Sequence, residues 1–304
     1  MAVYVVGDFL RETRLRKGYT QEEVSYGICT PASLSRIENG AQKPGRLILE
    51  KLFERLGTEN NLFNSFVSKE EMELYSEIQT LIRDITDEDV VKIEKQIDVV
   101  EKLAVNTTEL EHQCLYFAKG ELARQKEKDD KKAMEMYMKA IHITLPDFDG
   151  KNPLRNNLLT FDEIMIINAI AILHAKADDI MTAVQLGMWL KKYMEEKIVD
   201  GTMKIAKYPM ILYNLSNWLG RENCHKEALK MADLGIRFCI RYGNLAFFPI
   251  LVFNKGGALA ELGKIDQAKK YLHQSVTIVE AMDRPDLIQV ATDWCKLHYR
   301  IDIQ

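Results

Sequence analysis

The sequence is poor in the residues that break regular structure, and it contains no long apolar run. Glycine (16) and proline (7) are scarce in a chain of 304 residues, since together they average about 12% of protein sequences. This scarcity argues against turn-rich β-sandwiches and β-barrels. No apolar stretch reaches about 18 residues, so no membrane-spanning helix is expected. With 47% hydrophobic and 28% charged residues, the composition is typical of a globular protein with a sizeable core.

Cysteine is also sparse, and the net charge is small. The five cysteines are scattered and odd in number, which indicates reduced thiols in a cytoplasmic protein. The first residues lack the basic segment and small-residue cleavage site of a signal peptide, in line with that location. A net charge of −4 excludes a broadly basic nucleic-acid coat but is compatible with one local DNA-reading surface.

The usual signatures of enzymes and metal sites are missing. The sequence has no HExxH motif, no P-loop, no GxGxxG and no cysteine pairs at metal-ligand spacing. Cys224 and His225 are adjacent, a spacing that suits neither a zinc site nor a Cys/His dyad. We therefore expect no catalytic site, no metal and no cofactor.

The segment before about residue 60 is predicted to contain several short helices, with clear start and stop signals. Thr20 to Glu23 forms a capping box, and Thr30 followed by Pro31 is typical of a helix start. Asn39-Gly40 ends that helix, and residues 46–56 carry an apolar stripe. Residues 1–66 are thus predicted to form one small helical domain, with 58–68 as a linker that carries a short helix.

The remaining residues indicate helix after helix, with a repeated small residue. Ala133, Ala183, Ala228 and Ala268 each come five residues after a predicted turn, at Lys128, Asp178, Asn223 and Gly263. The alanines are separated by 50, 45 and 40 residues, longer than the tetratricopeptide period of about 34. A small residue at such a position lets the two helices of a hairpin approach closely, and stacked hairpins share a core. Pro285 to Ile303 is predicted as a terminal helix.

The residues between Gly7 and Pro44 form a specific combination. Its members are Gly7, Leu10, Arg11, Arg14, Gly18, Thr20 to Val24, Ser33, Ser35 to Gly40 and Pro44. This string resembles the phage-repressor type of helix-turn-helix domain. The turn around Cys29 is one residue shorter than in phage repressors, and this form resembles the peptide-pheromone-controlled regulators of the Rgg and PlcR type.

The second resemblance implies an all-α protein of two parts. Residues 1–66 would bind double-stranded DNA, and residues 67–304 would form a right-handed tetratricopeptide-like array that binds a short signalling peptide and dimerises. The phage-repressor resemblance further implies a salt bridge between Arg14 and Glu38, which ties the first helix to the recognition helix.

In helix-turn-helix proteins the second helix of the motif enters the major groove. The residues predicted to contact DNA are Gln21, Thr30, Pro31, Ala32, Ser33, Ser35, Arg36, Asn39 and Lys43. Among those on the recognition helix, only Arg36 can grip guanine O6 and N7 with two hydrogen bonds. Gln21, Asn39 and Lys43 are expected to contact phosphates.

Asparagines recur in the array at one register. Asn214 and Asn254 each lie fourteen residues before a repeat alanine, and Asn168 lies fifteen before Ala183. Asn217 follows Asn214 by three residues, on the same helix face. An amide can both donate to and accept from a peptide backbone. The pheromone-receptor resemblance therefore implies that Asn168, Asn214, Asn217 and Asn254 contact the peptide.

Residues 1–66 carry nine basic and eight acidic side chains, so a single domain should bind DNA weakly, and a homodimer is expected. Two other functions remain open at this stage. The protein is alternatively an interaction scaffold that has lost DNA binding, or a constitutive phage-type repressor whose array takes no peptide.

Overall fold

Helices make up all the regular structure that the computed structural model of the chain describes, so the all-α, tetratricopeptide-like expectation is confirmed. The described residues are 6–58, 69–86, 89–104, 109–154, 158–197, 199, 201–283, 292–293 and 295–299. The first four helices are α1 (Val6–Arg16), α2 (Gln21–Ser25), α3 (Pro31–Glu38) and α4 (Arg46–Arg55). The next five are α5 (Lys69–Thr86), α6 (Val90–Leu103), α7 (Glu109–Leu122), α8 (Asp130–Thr144) and α9 (Phe161–Lys176), with a π-helical turn at Ala123–Glu127. The last are α10 (Ile180–Glu196), α11 (Gly201–Arg221), α12 (His225–Tyr242), α13 (Phe248–Glu261) and α14 (Ile265–Ala281).

The chain packs as two compact units. The first comprises Met1–Leu173 with Ile198–Asp200, and the second comprises His174–Lys197 with Gly201–Gln304. The predicted boundary at residue 66 and the predicted linker helix lie outside the described residues. So does most of the predicted terminal helix, whose described residues, 292–293 and 295–299, are helical. Among the described helices, none is long and apolar enough to cross a membrane.

The predicted helix starts at Thr20 and Thr30 are confirmed. The Thr20 hydroxyl accepts from the Glu23 backbone N–H at 3.1 Å, and the Glu23 carboxylate accepts from the Thr20 N–H at 2.7 Å. Thr30 accepts from the Ser33 N–H at 3.0 Å, with Pro31 as the first helical residue. These local bonds satisfy amide groups that a helix start would otherwise leave unpaired.

The core of the N-terminal helices is apolar and continues beyond them. The predicted stripe on α4 is fully buried: Leu47, Leu49, Leu52, Phe53 and the following Leu56. Leu10, Val24, Leu34 and Ile37 from α1 to α3 complete the cluster, together with Leu110 of α7 and Leu158 just before α9. Burying one such side chain contributes about 1.5–3 kcal/mol. Helices α1 to α4 and the start of the array therefore share one core within the first unit.

The repeat turns all have one backbone conformation. Lys128, Asp178, Asn223 and Gly263 are each left-handed, with φ of 57°, 66°, 57° and 72°. The alanines five residues later, Ala133, Ala183, Ala228 and Ala268, are at most 2% exposed. The left-handed residue ends one helix. After Lys128, Asn223 and Gly263 the buried alanine lets the next helix pack closely against it, as α8 does on α7, α12 on α11 and α14 on α13, which confirms three of the predicted hairpins.

Close approach also explains the paired glycines of α13. A β-carbon on Gly256 would lie 2.7 Å from Leu272 Cγ on α14, and one on Gly257 would lie 2.7 Å from the Tyr299 hydroxyl. A larger residue at Gly256 would press on α14 itself, since the Leu272 backbone nitrogen would be 3.2 Å away, whereas at Gly257 the end of the Tyr299 side chain would have to move.

Gly27 meets a stricter requirement than the other turn glycines, which gives a first prediction. Its φ is +67°, and a β-carbon there would overlap the carbonyl oxygen of Thr144 on α8, whereas Gly18 has φ of +74° with open space around it. We expect Gly18→Ala to cost about 1–2 kcal/mol for the left-handed conformation alone. Gly27→Ala should cost at least about 2 kcal/mol more, measured by urea unfolding. Equal losses of unfolding free energy in the two variants would show that the Thr144 backbone can move aside at no energetic cost.

Candidate nucleic-acid interface and peptide groove

Helix α3 has one buried and one open face. Leu34, Ile37 and Glu38 are buried, and they orient the helix against the rest of the domain. The predicted DNA-contacting residues occur on the opposite side. Thr30, Pro31, Ala32, Arg36 and Asn39 are exposed, Ser33 and Ser35 are half-buried, and Lys43 is exposed in the turn before α4.

The Arg36 side chain is available for a ligand. No hydrogen bond or ion pair within the described residues engages its guanidinium, and the residue is exposed. By contrast, the Thr30 hydroxyl donates to the Ser33 hydroxyl at 3.0 Å, so these two hydroxyls in the first turn of α3 already bond to each other. Arg36 is therefore the long cation of this surface that stays open to a base edge, and its contact with DNA stays a prediction.

A buried carboxylate holds the recognition helix in place. Glu38 is 1% exposed, and its two oxygens accept from Arg14 Nε at 2.6 Å and Arg14 Nη2 at 2.8 Å. The hydrogen bonds to Glu38 raise the pKa of the Arg14 guanidinium. The predicted Arg14–Glu38 bridge is confirmed, and its fork geometry sets the orientation of α3 against α1.

Gln21 also belongs to this arrangement, which its sequence position did not indicate. Its amide Nε2 donates to Glu38 at 2.7 Å, from the first turn of α2. The side chain is therefore engaged inside the domain, and its contact with a phosphate stays a prediction. Asn39 lies near a further cation, since Arg11 Nη1 is 3.5 Å from its Oδ1. Arg11 is exposed beside the recognition helix.

The second unit contains a groove that is open to solvent. Its volume is about 230 Å³. It is lined by residues of α11, α12, α13 and the C-terminal segment: Ser216, Asn217, Gly220, Arg221, His225, Ala228, Phe253, Asn254, Gly257, Ala258, Glu261, His298 and Tyr299. Two of the predicted peptide-binding asparagines, Asn217 and Asn254, lie together here.

The four asparagines differ in how much of each residue is exposed to solvent. Asn217 is exposed, whereas Asn254 is half-buried and its Nδ2 donates to the Ser216 hydroxyl at 2.7 Å. Asn214 is 7% exposed on α11, and Asn168 is 4% exposed on α9 in the first unit. The groove therefore brings together Asn217 and Asn254, and the contacts of Asn168 and Asn214 with a peptide stay predictions.

The groove also contains residues that sequence reasoning missed. The ring nitrogen Nδ1 of His225 is buried and has no hydrogen-bond partner among the described residues. Ser216 bridges two helices, because it accepts from Asn254 and donates to the Tyr213 carbonyl at 2.8 Å. The adjacency of Cys224 and His225 carried no signal of this role, since the groove forms only when four separate segments pack together. Within the described residues, no group of three metal-ligating side chains occurs.

The N-terminal domain is similar in sequence to known helix-turn-helix proteins. A family described as a helix-turn-helix domain matches residues 5–66. YqaF of Bacillus subtilis (strain 168), an uncharacterized HTH-type transcriptional regulator, is 38% identical over 63 residues, which are 20% of this chain and 83% of that protein.

Solved structures are similar over nearly the whole chain. PlcR of Bacillus thuringiensis in complex with the peptide PapR7 and DNA matches with a TM-score of 0.60 and 18% identity, over 94% of this chain and 98% of that one. Apo ComR, the competence regulator of Streptococcus vestibularis, matches with a TM-score of 0.51 and 14% identity, over 96% and 97%. At these identities the likeness shows a shared fold.

The fold and the exposed face of α3 define a protein of the helix-turn-helix class that carries a tetratricopeptide-like array. More particularly, the chain belongs to the family of HTH-type transcriptional regulators.

The buried bridge gives a second prediction. Glu38→Gln removes the charge that faces Arg14, and leaving a buried cation unpaired costs about 3–5 kcal/mol. We expect a loss of that size in the free energy of unfolding measured in urea. Glu135→Gln is the matched control, because Glu135 pairs with Lys139 on the exposed surface of α8. It should cost less than about 1 kcal/mol, and similar losses in both variants would contradict the structural role of Glu38.

Proposed function

We propose that the protein is a sequence-specific, double-stranded-DNA-binding transcription regulator controlled by a short signalling peptide bound in the array. It acts as a homodimer in the cytoplasm and catalyses no reaction. The observation that carries the proposal is the open face of α3, with its unengaged Arg36, in a chain with the fold of PlcR, a protein solved with a peptide and DNA.

The DNA contact follows from what α3 can offer. A long cation on a recognition helix reads guanine in the major groove, and the exposed Ala32 suits contact with a thymine methyl group. The exposed Lys43 and Arg11 flank this surface and supply phosphate contacts. An interaction scaffold does not require an exposed arginine on this helix with cations on either side of it, so we favour DNA binding over the scaffold function.

Peptide control follows from the groove. Asn217 presents both a donor and an acceptor, Phe253 supplies an apolar wall, and the half-buried His225 adds a polar ring to the lining. This mixture suits the backbone and one or two side chains of an extended peptide. A peptide that binds two states of the array with affinities differing by about 1.4 kcal/mol changes DNA affinity about tenfold, and DNA changes peptide affinity by the same factor.

A third prediction tests the DNA contact. We expect selection from random duplexes to yield a sequence with two related half-sites, as a homodimer requires. Arg36→Ala should weaken binding to it by about 1–3 kcal/mol and relax the preference at one base pair per half-site. Arg237→Ala, an exposed arginine on α12, is the control and should bind as the parent does. Unchanged affinity and preference in Arg36→Ala would refute this assignment, and failure to select any duplex would favour the scaffold function.

A fourth prediction tests the groove. Displayed linear peptides of seven residues are selected on the full chain, and the winners are measured by calorimetry. Asn217→Ala combined with Asn254→Ala should weaken them about tenfold or more, because two amide contacts are lost. Peptide-free DNA binding should stay unchanged. Gln274→Ala, an exposed amide on α14 outside the groove, is the control. If no peptide is selected, the constitutive repressor becomes the better account.

A further inference from the structure

A fully buried arginine links the DNA-binding helices to the array within the first unit. Arg55, at the end of α4, has no exposed side-chain surface, and neither has Glu163 near the start of α9. Arg55 Nη2 donates to Glu163 Oε1 at 2.8 Å, and Nη1 donates to the carbonyl of Tyr26. Charges so far from water persist only when they are paired and hydrogen-bonded in fixed geometry.

Glu163 is itself held in place by the start of α9. Its second oxygen, Oε2, accepts from the Thr160 backbone N–H at 2.5 Å, while the Thr160 hydroxyl accepts from the Glu163 N–H at 3.3 Å. This is the reciprocal arrangement of a capping box. One carboxylate therefore both caps α9 and receives Arg55, so that neither contact can shift without the other.

A second ion pair lies one helical turn earlier on α4. Lys51 Nζ is 2.9 Å from Asp162 Oδ2 and 3.1 Å from Glu54 Oε1. The other oxygen of Glu54 accepts from the Phe161 backbone N–H at 2.9 Å. Residues 161, 162 and 163 of α9 are thus each bonded to α4.

The loop after α2 makes a third set of contacts. The Tyr26 hydroxyl donates to Asp147 at 2.5 Å, and Gly27 lies directly against the backbone of Thr144. We call these contacts together the docking interface: Tyr26, Gly27 and α4 residues 51–55 on one side, and residues 144–147 and 161–163 on the other.

The docking interface uses the side of the domain that does not read DNA. Its members lie on α4 and after α2, while Pro31, Ala32 and Arg36 of α3 are exposed in the same structure. Docking therefore leaves the predicted DNA-reading surface open and does not cover it.

We propose that the docking interface is a positioning device, which holds the DNA-binding domain in one orientation on the array while leaving it competent to bind. This inference rests on the proposed function as a DNA-binding homodimer. When two domains are held at a fixed orientation, the second half-site is bound at a high effective concentration. A released domain reads a single half-site equally well but loses this advantage on a complete site.

The test uses Asp162→Asn combined with Glu163→Gln, two near-isosteric changes on the array side. Hydrogen exchange of the full chain, without DNA, should show amides of α4 exchanging about tenfold faster or more, while those of α13 are unchanged. Affinity for the selected two-half-site duplex should fall about tenfold or more. Affinity for a duplex with one half-site should stay within about twofold of that of the parent.

The control is Glu135→Gln, which breaks an exposed ion pair of the same unit and should change none of these quantities. Unchanged or tighter binding to the two-half-site duplex by the double variant would overturn the proposal, because docking would then be neutral or inhibitory.

If the double variant does not fold, Tyr26→Phe with Asp147→Asn removes one partly exposed hydrogen bond and should give the same pattern at smaller amplitude. If the parent selects no DNA, the proposed function fails, and unchanged exchange in the variants would refute the interface separately.

Discussion

A guanidinium group removed from water must be given hydrogen-bond acceptors in fixed positions, and Arg14 and Arg55 both impose this requirement. Arg14 meets it with Glu38, which sets α3 against α1. The two terminal nitrogens of Arg55 meet it with Glu163 and with the Tyr26 carbonyl, which sets α4 and the loop after α2 against α9, whereas Arg55 Nε is buried without a partner among the described residues. The Arg14–Glu38 pair orients α3 against α1, and the Arg55–Glu163 pair orients α4 against α9. The face of α3 that stays exposed therefore depends on both buried pairs.

The second unit obeys a different constraint, which is the close approach of helices. Its turns at Asp178, Asn223 and Gly263 each contain a left-handed residue, and a buried alanine follows five residues later. Small residues also line the groove, among them Gly220, Gly257 and Ala258.

Signals that act over a few residues were readable from the sequence. The capping box at Thr20, the helix start at Thr30, the apolar stripe of α4 and the spacing from turn to alanine depend on residues within one or two helical turns of each other, and the structure bears them out. The Arg14–Glu38 bridge was readable only through the family resemblance. The repeat register did not predict solvent exposure. Asn214 shares the register of Asn254 and Asn168 is one residue off it, but Asn214 and Asn168 are buried. The pattern gives the helix face, and the neighbouring helices decide how much of that face stays exposed.

The sequence by itself determined that the chain is all-α, where the short N-terminal helices begin and end, where four turns of the array lie, and that a helix-turn-helix domain precedes a repeat array. Only the tertiary structure decided that Gln21 bonds to Glu38, that His225 joins the groove, and that the DNA-binding domain docks on the array. The physical reason is the distance along the chain. Arg55 and Glu163 are 108 residues apart, and no local pattern records a contact that exists only after the intervening helices have packed.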